Sequence, residues 1–235
     1  MKVVMQPEPE RKFKVPPEMA AFVLHDLQRI LKSLHYTYGK VSSSQRRVTY
    51  LDSSDWQVLL HDQTIRVVEG FDNGKVRHDY KAGKGDTRLE GNIWKKKPLD
   101  MDAILGYAPP ELTSQWTRLI GMLVPVANVQ ASHVKMAVKK KGWTIEAKID
   151  HYTVRDGVPI HELELEVTKA ENLREAIRHR DRIARSIEQG MGLEPVEDQK
   201  YCTIILGMPK YEAKMRELGL APARTLDAIA LVGKD

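Results

Sequence analysis

Residues 161–167 read HELELEV, with Glu162, Glu164 and Glu166 alternating with Leu163, Leu165 and Val167. A β-strand sends successive side chains to opposite faces, so as a strand this segment carries carboxylates on one side and hydrocarbon on the other. The division recurs along the chain. TIEAKID sets Glu146, Lys148 and Asp150 against Ile145, Ala147 and Ile149. VRHDYKAG aligns Arg77, Asp79 and Lys81, and RLEGN aligns Arg88, Glu90 and Asn92. Near the start, MQPEPERKFKV puts Glu8, Glu10, Lys12 and Lys14 on one face.

One such strand is readily the solvent face of a sheet. Several together constrain the fold more tightly, because like charges held in a row repel one another with no gain in open water. A facing row of bases, or a cation, relieves that repulsion. A sheet curled into a barrel supplies it, with an apolar outside under helices and a charged tunnel inside. Such an interior suits a polyanion: bases hold phosphate oxygens, and acids hold the metal that bridges them.

Composition agrees with a globular chain. Of 235 residues, 42% are hydrophobic and 29% charged, which is ordinary for a soluble domain. No stretch approaches the roughly 20 apolar residues of a membrane span, and no apolar segment of a secretion signal opens the sequence. The single cysteine, Cys202, excludes an internal disulfide and fits a reducing compartment. The expectation is a cytoplasmic protein. The net charge of +5 favours phosphate-bearing partners.

The spacing of Phe22, Val23, Leu27, Ile30, Leu31 and Leu34 predicts a helix after Pro16-Pro17. Short strand-like segments follow between 45 and 94, broken by DSSD, FDNG and GKGD. The Asp72-Asn73-Gly74 turn is a hairpin signal. Residues 100–124 read helical. A second β block runs from Ala131 to Glu171, with turns near Lys141-Gly142 and Asp156-Gly157. ENLREAIRHRDRIARSIEQGMG is a helix with a glycine stop. KYCTIIL reads as a last strand, and a short helix near 209–218 precedes the tail. Short turns between neighbouring strands imply an antiparallel sheet. The fold class expected is therefore α+β: a closed antiparallel barrel of about eight strands, helices outside, in one domain over 1–235 with its core at about 5–207.

These segments resemble a known family. EPERKF is similar to the E-x-E-x-K signature that opens CYTH domains, the group of class IV adenylyl cyclases and thiamine triphosphatases within the triphosphate tunnel metalloenzymes. TYLDSSD resembles the family's second strand, RLEGN its R-x-E-x-E segment, KID at 148–150 a strand ending in a functional aspartate, and HELELEV its late glutamate strand. The resemblance implies a charged tunnel that cleaves or rearranges triphosphates with Mg2+ or Mn2+. It implies Glu8, Glu10, Asp150, Glu162 and Glu164 as metal ligands, and Lys12, Arg66, Lys81, Arg88 and Lys200 as phosphate holders. Glu10, Arg66 and Glu164 are implied closest to the chemistry. The chain departs from the pattern at Val68, where a second arginine of R-x-R is usual, at Asn92 in place of a glutamate, and on the sixth strand, which offers Gln130, His133 and Lys135 instead of arginine.

Three activities follow as expectations: a metal-dependent triphosphatase acting on inorganic, thiamine or nucleoside triphosphate, a class IV-type cyclase, or a non-catalytic binder of nucleotide or polyphosphate. An RNA-end triphosphatase, with an RNA 5′-triphosphate as substrate, is a variant of the first that the basic charge allows, and no membrane partner is expected. Other constellations carry less. AGKGDT lacks both the spacing and the helix of a phosphate-binding loop. The histidines show no zinc spacing. WKKKP, VKKKG and the basic face of IRHRDRIAR read as solvated charge, although one arginine of that helix could lean over the tunnel mouth.

Overall fold

A computed structural model gives the structure of the chain; it describes residues 6–7, 9–54, 57–60, 63–70, 76–82, 89–95, 122–154 and 159–196. In chain order these form β1 (Gln6–Pro7), β2 (Glu10–Lys14), α1 (Val23–Ser33), β3 (Ser42–Asp52), α2 (Gln57–Leu60), β4 (Gln63–Gly70), β5 (Val76–Ala82) and β6 (Leu89–Lys95). Then come β7 (Val124–Lys140), β8 (Trp143–Val154), β9 (Ile160–Ala170), α3 (Leu173–Met191) and β10 (Pro195–Val196). The DNG turn, the turn at Asp156-Gly157, most of the helix expected over 100–124, Cys202 and the helix expected near 209–218 lie outside the described residues.

All strands join one antiparallel sheet in the order β1-β6-β5-β4-β3-β7-β8-β9-β2-β10. The sheet is strongly curled: Gln6–Pro7 pairs with β6, while Glu10–Lys14, a few residues on, pairs with β9 at the other end of the strand order. The expected closed barrel is corrected to an open, curled sheet. Pro7 and Pro9 each lack the N–H that a continuous ladder needs. The second edge of β2 is also taken, since Lys12 and Phe13 pair with Val196 and Pro195 of β10. The strand that would seal the barrel therefore changes partners midway.

The inverted alternation sorts the side chains as expected. Phe13 and Val15, Ile145, Ala147 and Ile149, and Leu163, Leu165 and Val167 bury their side chains outward. They meet Val23, Leu27, Ile30 and Leu31 of α1 and Ala176, Ile183, Ala184 and Ile187 of α3. Each such burial contributes about 1.5–3 kcal/mol for the larger side chains. α1 and α3 are thus outside the curl, and the core lies between them and the convex face of β2, β8 and β9.

Local chemistry sets the boundaries. Asn172 caps α3 by accepting a hydrogen bond from the Glu175 N–H at 3.2 Å, and Gly192 ends it at φ +67°. Gly142 turns β7 into β8 at φ +88°. The first helix begins later than the sequence suggests, at Val23, because Pro17–Met19 forms a short 3-10 turn. β7 begins at Val124, seven residues before the expected strand; Pro125 is tolerated because the ladder bulges there, with Tyr50 opposite Ala127 and Leu51 opposite Pro125. Asp52 is buried and accepts the Ser53 and Val58 N–H groups at 2.8 and 2.9 Å, holding the start of α2. Among the described residues no helix is long and apolar enough to cross a membrane.

A charged cavity inside the curled sheet

The concave face encloses a cavity of about 240 Å³. Every described residue lining it is charged: Glu10, Lys12, Arg46, Arg66, Arg77, Lys81, Glu90, Lys135, Glu146, Lys148, Asp150, Glu164 and Glu166. The lining is polarised. The wall from β3 to β6 brings four bases and one acid, whereas the wall from β2 and β7 to β9 brings three bases and five acids.

Strand register explains the acidic wall. Glu146, Glu166 and Glu10 stand directly opposite one another across β8, β9 and β2. The next level places Lys135, Lys148, Glu164 and Lys12 in one row. Like charges in register repel, and Lys148 relieves this. Its Nζ lies 2.9 Å from Glu164 and 3.7 Å from Glu146, and it also contacts Glu166. Lys135 meets Glu146 at 2.9 Å, and Lys12 meets Glu10 at 2.8 Å. Burial, followed by the neighbouring Lys148 charge, pulls the Lys135 ammonium below its ordinary value against the opposing pull of Glu146.

The third level holds His133, Asp150 and Glu162. Asp150 is fully buried and both its oxygens are engaged, one by His133 Nδ1 and the other by the Tyr152 hydroxyl at 2.6 Å. Arg46 Nη2 approaches the same ring nitrogen at 3.2 Å.

On the basic wall, Asp79 is the pivot. Arg66 Nε donates to its Oδ2 at 2.9 Å; Arg77 Nη2 donates to Oδ2 at 2.8 Å, and Arg77 Nε lies 2.6 Å from Oδ1. Burial works against the Arg66 charge, but Asp79 ahead of all other neighbours holds the guanidinium well above its usual range. Burial likewise opposes the Asp79 charge, and Arg77, Arg66 and Lys81 outweigh it, leaving the carboxyl below the ordinary carboxylate value. Lys81 meets Glu90 at 3.2 Å.

Of the residues proposed from the sequence, Glu10, Lys12, Arg66, Lys81, Asp150 and Glu164 line the one cavity. Glu162 is buried beside them, directly opposite Asp150, without lining it. Glu8, Arg88 and Lys200 lie outside the described residues. On β7, His133 and Lys135 face inward and Gln130 is exposed. Arg180 of α3 is buried and pairs with Asp181 at 2.6 Å rather than lining the cavity. Arg46, Arg77, Glu90, Glu146, Lys148 and Glu166, with Lys135, complete the lining. Arg77 had a signal, its shared parity with Lys81; Arg46 had none, because only the register of β3 with β4 and β7 brings it inward.

Among the described residues no three His, Cys, Asp or Glu side chains come together as a metal cradle. Lys148 stands amid the acids that would form one. Carboxylate oxygen is nonetheless the donor type that a hard divalent cation prefers.

No protein-family profile matches the sequence, and no curated protein matches it. Solved structures do match the fold. A candidate adenylate cyclase from Bacillus halodurans is similar with a TM-score of 0.53, at 17% identity over 83% of this chain and 95% of that one. A candidate adenylyl cyclase from Hippeastrum, described as revealing a dominant triphosphatase activity, is similar with a TM-score of 0.53, at 12% identity over 86% of this chain and 97% of that one. At these identities the shared property is the fold, an antiparallel sheet curled around a concave face.

Proposed function

We propose that this chain binds a triphosphate-containing small molecule in the cavity and hydrolyses its phosphoanhydride with the help of Mg2+ or Mn2+. The observation that carries the reading is the polarised, wholly charged lining, with bases outnumbering acids on one wall and acids outnumbering bases on the other. A triphosphate needs both: cations along its oxygens, and acids to hold the metal that bridges them. The names of the solved structures with this fold agree with triphosphate chemistry.

Lys12, Arg66 and Lys81 would hold phosphate oxygens, with Arg88 and Lys200 expected to join them. Glu10, Glu164 and Glu166 would hold the cation, with Glu8, Asp150 and Glu162 as further expected ligands. When bound, such an ion polarises the phosphoryl oxygens and lowers the pKa of its water. The chain's own contribution is position and charge: Arg66, fixed by Asp79, stabilises negative charge that grows on the transferred group.

A second reading is a binder without turnover. It is favoured by Lys148 among the carboxylates and by the two bonds that occupy Asp150. Incubation with inorganic triphosphate, thiamine triphosphate, ATP and a 5′-triphosphorylated RNA, with Mg2+ or Mn2+, separates the readings. Phosphate release is expected. Pyrophosphate with a cyclic nucleotide would indicate cyclase chemistry, and binding without product would establish the second reading.

A further inference from the structure

We propose that Arg66, Asp79 and Arg77 form one anion-gripping unit, in which a buried aspartate locks two guanidiniums from adjacent strands against the phosphates, and that Arg77 is a substrate-binding residue of the cavity. The inference rests on the reading of the cavity as a triphosphate site.

Three observations carry it. The first is layering. Asp79 is 0% exposed, while the side chains of Arg66 and Arg77 are 8% and 22% exposed and line the cavity. The acid therefore lies behind and the cations in front. The second is charge. One carboxylate serves two guanidiniums, so the unit presents a net positive charge to the cavity, where a purely structural pair would need one arginine. The third is register. Arg77 stands directly opposite Val68 on the face that Arg66 and Lys81 share, with Arg66 opposite Asp79 and Lys81 opposite Thr64. The apolar Val68 leaves that level of β4 without a cation, and β5 supplies it.

A guanidinium held in a fixed plane offers a donor fork that matches phosphate oxygens, which a lysine cannot reproduce. Together with Arg46 and Lys81, the unit spreads cations over β3, β4 and β5. That spread suits an extended anion with more than one phosphate.

The test is calorimetric titration of inorganic triphosphate into the full chain and its variants. Arg77→Gln should weaken binding about tenfold or more. Arg77→Lys keeps the charge without the fork and should fall between Arg77→Gln and wild type. The swap Arg77→Val with Val68→Arg should recover most of the affinity, which no general loss of stability would produce; thermal melting checks each fold. Wild-type affinity in Arg77→Gln overturns the inference, as does a swap that binds no better than Arg77→Gln. Either result leaves the triphosphate reading standing, provided that wild type binds and Lys12→Ala weakens binding. No binding by wild type overturns that reading and the inference with it.

Discussion

Lys148 Nζ lies 2.9 Å from Oε1 of Glu164, its direct neighbour across the β8–β9 ladder, and the same ammonium also meets Glu146 and Glu166. One internal cation thus holds three carboxylates together. Its side chain is only 15% exposed, so the pairs are screened little by solvent. Lys148→Met should lower stability at neutral pH by about 3 kcal/mol, the scale of a broken buried ion pair. Added Mn2+ should restore more stability in the variant than it adds to wild type, because the acids are then left without the ammonium. Urea unfolding with and without Mn2+ measures both effects, and a variant as stable as wild type would contradict this role.

Asp79 gives a prediction with a definite sign. Its folded pKa lies below 3.8, so the stability from this carboxylate is present above 3.8 and is lost as pH falls through the lower, folded value. Asp79→Asn should cost about 3–5 kcal/mol at neutral pH, since it strips the buried Arg66 and the half-buried Arg77 of their shared partner. It should also flatten the acid limb of stability below 3.8. Denaturant unfolding from neutral pH down to 2.5 reads both changes.

His151 and His161 face each other on β8 and β9, on the convex side. Burial pulls both below the ordinary histidine value, with Asp150 opposing at His151 and the His151 charge adding to the depression at His161. The unfolded chain then takes up protons first. Stability is full above about 6.5 and declines as pH falls below it, toward the folded values. Replacing both residues by Gln should shrink the loss between pH 7 and 5, a difference visible in the unfolding midpoints.

Leu165 and Glu164 are adjacent in sequence and opposite in destination. Leu165 is fully buried in the outer core, and Leu165→Ala should cost about 2–5 kcal/mol with little change at the cavity. Glu164→Gln should leave the outer core intact and weaken divalent-ion binding. Calorimetry with Mn2+ beside urea unfolding separates the two faces of one strand.

The alternation of Glu162, Glu164 and Glu166 with Leu163, Leu165 and Val167 made the inverted sheet legible, because burial on a strand follows parity alone. The same rule brought Glu10, Lys12, Asp150 and Glu164 into one cavity. Closure was not legible: it depends on whether Gln6–Lys14 can pair on both sides, and Pro7, Pro9 and the competing Pro195-Val196 decide that through three-dimensional contacts. Nor was the place of Arg77 opposite Val68, since register across a turn is invisible to periodicity. Gln130 was grouped with His133 and Lys135 although its parity differs, and it points outward.

On the proposed function, the concave cavity holds a triphosphate between its two walls. The most direct test is calorimetric titration of inorganic triphosphate into wild type, Lys12→Ala, Arg66→Ala and Arg47→Ala. Lys12 and Arg66 are buried in the cavity lining, whereas Arg47 is exposed on the outer face of the same sheet. Each buried cation should contribute about 1.5–3 kcal/mol of charge-assisted bonding, so its loss should weaken binding by about tenfold to a hundredfold. Arg47→Ala should change affinity little, because water and salt screen an exposed charge. Absence of binding in wild type, or equal small losses in all three variants, would contradict the claim.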